Sequence, residues 1–180
     1  MERLDPASTV LFIVDVQEKL AAAMPKDGLE RLVKNTNILL ETAKTLGMKV
    51  LASEQYPKGL GPTLSALALP TPAMPKMTFD ACSDLGIARA LAQTQAKAVV
   101  VVGMETHVCV FQTARELVKR GYATHVVADA VCSRSKKNRV LGLSLCERAG
   151  AIITPTETVA FDLLGVAGTD AFKTVSKLVR

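Results

Sequence analysis

Cys109 stands where a thiol can act as a nucleophile. Before it, residues 98–102 form an unbroken apolar run rich in β-branched side chains, which predicts a strand buried on both faces of a parallel sheet. Gly103 ends the run and residues 104–107 form a turn. After it, Phe111, Ala114, Leu117 and Val118 recur at helical spacing, with Gln112, Arg115, Glu116 and Lys119 on the other face and Gly121 as the stop. Cys109 is therefore expected in the first turn of a helix, just past the carboxyl end of a central strand, the edge where open α/β sheets hold their ligands. A helix N-terminus there would lower the thiol pKa. A free cysteine is also, more often, a buried and inert hydrophobe, so the placement alone leaves both readings open.

Two further residues have the right chemistry. Asp15 closes the apolar run TVLFIV at residues 9–14. An acid at a strand end is either a turn or helix cap or an acid/base group held at the sheet edge. Lys76 lies in MPKMTFDAC. Most lysines are solvated surface charges, and nothing in the composition around Lys76 says otherwise.

Three stretches in order change that balance. FIVDVQEKL, MPKMTFDA and GMETHVCV resemble the segments that carry the acid, the lysine and the nucleophile of the isochorismatase-like cysteine hydrolases. SEQYPKGLGPT and VVADAVCSRS resemble the isochorismatase domain-containing branch of that family, and the likeness runs from about Thr9 to about Phe161. The resemblance implies a catalytic triad of Asp15, Lys76 and Cys109. It also implies an oxyanion hole from the backbone N–H groups of Glu105 and Cys109, and a cis peptide between Met104 and Glu105. Gln17, Tyr56, Phe79 and His107 are candidate pocket residues. The expected reaction is metal-free cleavage of a small amide or related C–N bond through a thioester acyl-enzyme, with Asp15 taking the thiol proton and Lys76 offsetting the repulsion between carboxylate and thiolate. The alternatives are a non-catalytic scaffold, a thiol sensor, and nicotinamidase-like or isochorismatase activity. Nicotinamidases of the family bind a metal through an Asp and two His. Residues 53–75 contain no histidine, and the chain's two are His107 and His125, so no metal and no cofactor are expected. True isochorismatases lack the cysteine that this chain keeps.

The elements that must position these groups follow from periodicity. Residues 28–46 form an amphipathic helix closed by Gly47, and residues 48–52 a returning strand, a right-handed crossover that implies parallel pairing. Residues 53–75, rich in Pro and Gly, read as an irregular connection or a loop over the site. A short helix at 85–91, a strand at 123–128 ending in Asp129, a helix through Leu141, Leu145 and Cys146, and a strand at 151–153 complete the alternation. Thr156 is expected to cap a helix through Phe161 and Leu164, and residues 170–179 to form a docked helix. Arg134 is expected in a structural ion pair with Asp129 rather than on an anionic substrate. The sum is an α/β fold, a three-layer α/β/α sandwich on a mostly parallel, Rossmann-like sheet of about six strands, in a single domain spanning residues 1–180.

Composition sets the outer limits. Apolar residues make up 49% of the 180, enough to exclude disorder as the main state. Cys82, Cys109, Cys132 and Cys146 contain no C-x-x-C pair, so neither a zinc ribbon nor a dithiol motif is written. The net charge of +5 is spread along the helices except for a short basic cluster at residues 134–139, and aromatics are only 4%, too few for base-stacking platforms, so no nucleic-acid partner is expected. No run reaches membrane-span length and the first residues lack a secretory h-region. The expectation is a cytoplasmic homo-oligomer acting on a small molecule.

Overall fold

The computed structural model describes residues 2–179; Met1 and Arg180, the limits of the expected domain, lie outside the described residues. In chain order the elements are β1 (Thr9–Val14), α1 (Glu18–Ala21), α2 (Lys26–Leu46), β2 (Lys49–Gln55), α3 (Pro57–Leu60), β3 (Met74–Lys76), α4 (Leu85–Gln93), β4 (Ala98–Met104), α5 (Phe111–Lys119), β5 (Ala123–Cys132), α6 (Lys136–Arg148), β6 (Ile152–Thr154), α7 (Thr156–Leu164) and α8 (Asp170–Val175). A π-helical turn, Thr106–Val110, joins β4 to α5.

All six strands are parallel, in the order β3-β2-β1-β4-β5-β6. The sheet grows in one direction from β1 to β3 and in the other from β4 to β6. The reversal leaves a crevice between the carboxyl ends of β1 and β4, the place where such sheets bind ligands. Alternation along β1 divides the core in two. Leu11 and Ile13 pack with Leu32, Leu39 and Ala43 of α2 and with Val159 and Leu163 of α7. Val10, Phe12 and Val14 pack with Ile87 and Leu91 of α4 and with Ala114 and Leu117 of α5. Each such side chain, fully buried, contributes about 1.5–3 kcal/mol, and these two layers hold the strand ends in place.

One glycine sets the closeness of β1 and β4. Gly103 lies opposite Val14 with a φ of 128°, and a Cβ there would fall 2.0 Å from the Val14 carbonyl oxygen. Only glycine permits this approach, one residue before Asp15.

Several expected boundaries move. Residues 53–75 are more ordered than their Pro and Gly content suggests. β2 continues to Gln55, α3 follows, and Met74–Lys76 become the edge strand β3. The loop between is tied back to α1 by Glu18 N–H to Pro62 O and Leu64 N–H to Val16 O, which fixes it as a strap. β5 does not end at Asp129 but reaches Cys132, because a register shift opposite Val101 and Gly103 absorbs the intervening residues. Thr156 is not the cap of α7 but its first residue. Its N–H and Oγ1 both donate to Asp129 Oδ1 at 2.8 Å, so a carboxylate from β5 does the capping. α8 ends at Val175, short of the expected 179.

Candidate active site

The register of the sheet assembles the site. Val14 pairs with Ser53 of β2 on one side and Gly103 of β4 on the other, while Gln55 pairs with Lys76 of β3. The polar residues at the ends of β1, β2 and β3 therefore face one point from three neighbouring strands. Asp15 turns out of β1 with φ 52°, a left-handed conformation that Asp tolerates better than most residues.

Lys76 is not a surface charge: its side chain and that of Asp15 are both 0% exposed, with Nζ 2.7 Å from Asp15 Oδ2. The ammonium also donates to Gln55 Oε1 at 2.7 Å, Thr78 O at 3.1 Å and Phe79 O at 3.3 Å. Four acceptors exceed its three protons, so the charge is fully solvated by protein. Ser53 Oγ donates to the other Asp15 oxygen at 2.7 Å. A buried ion pair is tolerated only when its remaining hydrogen-bonding capacity is met in this way.

Behind Lys76 is a clamp of two glutamines. Gln17 is fully buried. Its Oε1 accepts from Gln55 N–H at 2.7 Å, and its Nε2 donates to Gln55 O at 3.0 Å and Gly61 O at 2.7 Å. Gln55 Nε2 donates to Met77 O at 2.9 Å, which leaves Gln55 Oε1 aimed at Lys76. Gln17, expected to line the pocket, thus supports the chain around the lysine. Neither Ser53 nor Gln55 was singled out by sequence reasoning. The signal for them was present, since both are polar residues at the carboxyl end of a strand.

Cys109 lies in the π-helical turn before α5 rather than in the first turn of α5 itself, and it is 5% exposed. Its thiol pKa moves in the direction opposite to that expected from a helix end. Burial pushes it up, the Asp15 carboxylate adds to the rise by its charge, and Lys76 only partly offsets them. Both effects favour the protonated form of the resting sulfur. Burial likewise raises Cys82 and Cys146 to about 12.

The peptide between Met104 and Glu105 is cis, as the resemblance implied. Glu105 is buried, and its partner is Arg134. Arg134 Nη2 lies 2.8 Å from Glu105 Oε1, Nε reaches both carboxylate oxygens, and the Arg134 N–H donates to Oε2 at 3.0 Å. The ion pair expected between Arg134 and Asp129 is therefore made with Glu105 instead, because Asp129 is engaged by Thr156. Burial opposes ionisation of Glu105, yet the Arg134 hydrogen bonds and charge outweigh it and hold the carboxyl below the usual range.

The other candidate pocket residues flank this centre. His107 Nδ1 is 3.1 Å from Ser133 Oγ. Tyr56, with φ 37°, and Phe79 are 47% and 55% exposed. Phe79 touches Lys76 through its carbonyl. Among the described residues no three His, Cys, Asp or Glu side chains converge as metal ligands, and the Glu54 carboxylate accepts from Thr63 N–H and Oγ1.

Residues 9–158 match the isochorismatase domain model. The chain is 37% identical to isochorismatase domain-containing protein 1 of Danio rerio over 98% of its own length, and spans 62% of that protein. It is 37% identical to the secreted isochorismatase effector Isc1 of Phytophthora sojae, covering 99% of this chain and 87% of the effector. The solved structure of MAR1 ribonuclease from Caenorhabditis elegans superposes with a TM-score of 0.90 at 36% identity, covering 99% of this chain and 92% of that one. The parallel six-stranded sheet, the cysteine after its central strand and the sequence match over residues 9–158 converge: the chain belongs to the isochorismatase family and carries its hydrolase fold.

Proposed function

We propose that this chain is a metal-free cysteine hydrolase acting on a small amide or related C–N bond. The observation that carries the reading is the buried Lys76–Asp15 pair beside the Cys109 thiol. A protonated thiol cannot attack, so its proton must leave as the bond forms. Asp15 is the carboxylate whose charge acts on the thiol and the acceptor we assign to that proton. Cys109 Sγ bonds to the carbonyl carbon as the proton passes to Asp15, giving a tetrahedral oxyanion facing the backbone N–H groups of Glu105 and Cys109. Asp15 then protonates the departing nitrogen, the C–N bond breaks and a thioester remains. Water gives a proton to Asp15 as its oxygen adds to the thioester carbon; the C–S bond then breaks, the acid leaves and Asp15 returns the proton to the sulfur. Lys76 stays charged throughout and offsets the negative charge that moves between Asp15 and the oxyanion. Gln17, Tyr56, Phe79 and His107 border the site, with Gln17 acting through Gln55.

The donor set supports a metal-free reading, because residues 53–75 offer no histidine and the Glu54 carboxylate among them is already engaged by Thr63. A homo-oligomer in the cytoplasm, with residues 1–180 as one catalytic domain, is part of the same proposal. The name of the nematode relative raises RNA as a second substrate class. The site favours a carbonyl. In-line attack at a phosphodiester presents two non-bridging anionic oxygens, and the buried ammonium here already has four oxygen acceptors. The test is ammonia release from a panel of small amides, ureas and carbamoyl compounds, with an RNA arm, in EDTA, for the chain and for Cys109→Ala. Turnover of an amide that survives EDTA and is lost in the variant is the expected result. RNA cleavage alone, or amide turnover that persists in the variant, overturns the proposal.

A further inference from the structure

A surface pocket lies beyond Ser133, on the α2 side of the sheet. It encloses about 230 Å³ between the start of α2, the end of β5 and the start of α6. That volume is several times the ~30 Å³ that a water molecule occupies. Its walls carry Arg31, Lys136 and Arg139 against one carboxylate, Asp27. None of these four forms an ion pair among the described residues, although Asp27 and Arg31 stand four apart on one helix. The next carboxylate, Asp129, is taken up by Thr156.

Arg139 is built in. Its Nε donates to Val131 O at 3.2 Å and its Nη2 to Ala128 O, so the β5 bulge fixes the guanidinium and Nη1 takes no hydrogen bond among the described residues. Arg31 lines the same pocket, and burial and then the Arg31 charge lower the Arg139 pKa. Three cations against a single free carboxylate leave the pocket with an excess of positive charge that an anion would neutralise. Guanidinium pairs match the oxygens of phosphate through parallel charge-assisted hydrogen bonds.

We propose that the pocket walled by Arg31, Lys136 and Arg139 binds a phosphate-type anion, either the free ion or the phosphoryl group of a small phosphomonoester. The site is separate from Cys109 and its occupancy is independent of the hydrolase reading.

The test is calorimetric titration with inorganic phosphate, glycerol phosphate and sulfate at matched ionic strength, together with thermal melting in each against chloride. The variant is Arg31→Gln combined with Lys136→Gln. Both side chains are exposed, so the fold is expected to persist, and melting without added anion checks it. Saturable phosphate binding that raises the melting temperature over chloride, weakened about tenfold or more in the variant, is the expected result. Tighter binding of glycerol phosphate identifies a phosphorylated metabolite, and equal or weaker binding identifies the free ion. No saturable binding of any phosphate, or a well-folded variant that binds as the parent does, overturns the proposal.

Discussion

Lys76 and Asp15 hold opposite charges with no solvent around either, so neither can be removed alone without leaving the other stranded. Lys76→Met is expected to destabilise by about 3–5 kcal/mol in denaturant titration, whereas Asp15→Asn combined with Lys76→Met recovers most of that loss and remains inactive. Equal destabilisation of the single and double variants would contradict the pairing. At Cys109 the sign is set by burial and Asp15, both of which raise the thiol pKa above its ordinary value. The thiolate fraction is therefore small at neutral pH and grows as the solution becomes alkaline. Alkylation of Cys109 by iodoacetamide, mapped by mass spectrometry, is expected to be slower at neutral pH than that of an exposed cysteine peptide and still to be climbing above about pH 9. A rate that levels off below neutral pH would contradict the resting thiol. Asp15, Lys76 and Cys109 were legible in the sequence because their flanking segments resemble a family pattern. Gln55 and Ser53 were not, because what they touch is fixed by strand register across 21 and 38 residues rather than by their neighbours in the chain.

At the scale of elements, α6 holds the π-helical turn from behind, and Gly142 is the contact. A Cβ there would stand 2.7 Å from His107 N and 2.7 Å from Thr106 C, which are backbone atoms that cannot swing aside. Glycine to alanine inside a helix ordinarily stabilises by up to about 1 kcal/mol. Here the sign is expected to reverse, with Gly142→Ala costing about 1–3 kcal/mol through overpacking. A displacement of the turn by about 1 Å is expected to lower the proposed turnover by about 10²-fold in kinetic assay. A variant that is more stable and fully active would show that α6 does not set the nucleophile's position. The long periodic elements, β1, α2, β4 and α5, were readable from apolar spacing. β3 was not, since three residues show no period, and the bulge in β5 was hidden because its extra residues look like the end of a strand.

Across the whole molecule, the candidate site lies at the carboxyl edge of the sheet, while His125 is buried in the opposite half of β5, paired with Ile152. Burial lowers its pKa, and Asp162 opposes this without reversing it. The folded-state pKa is then below the unfolded value of about 6.5, so the unfolded chain binds the extra proton. Stability from this group is complete above that value and declines as pH falls through it. His125→Gln is expected to flatten the loss of melting temperature between about pH 7 and 5 while leaving turnover unchanged; an unaltered pH profile would show that His125 is not the titrating group. The layered α/β architecture followed from alternating helix and strand patterns, but the meeting of three strand ends at one buried charge pair depends on the sheet order. The most direct test of the central claim is intact-mass analysis of the chain, acid-quenched during turnover of an amide from the panel. The expected result is a single acyl adduct on Cys109, released by hydroxylamine and absent from Cys109→Ala. Sustained turnover with no adduct, in a variant lacking the thiol, would contradict it.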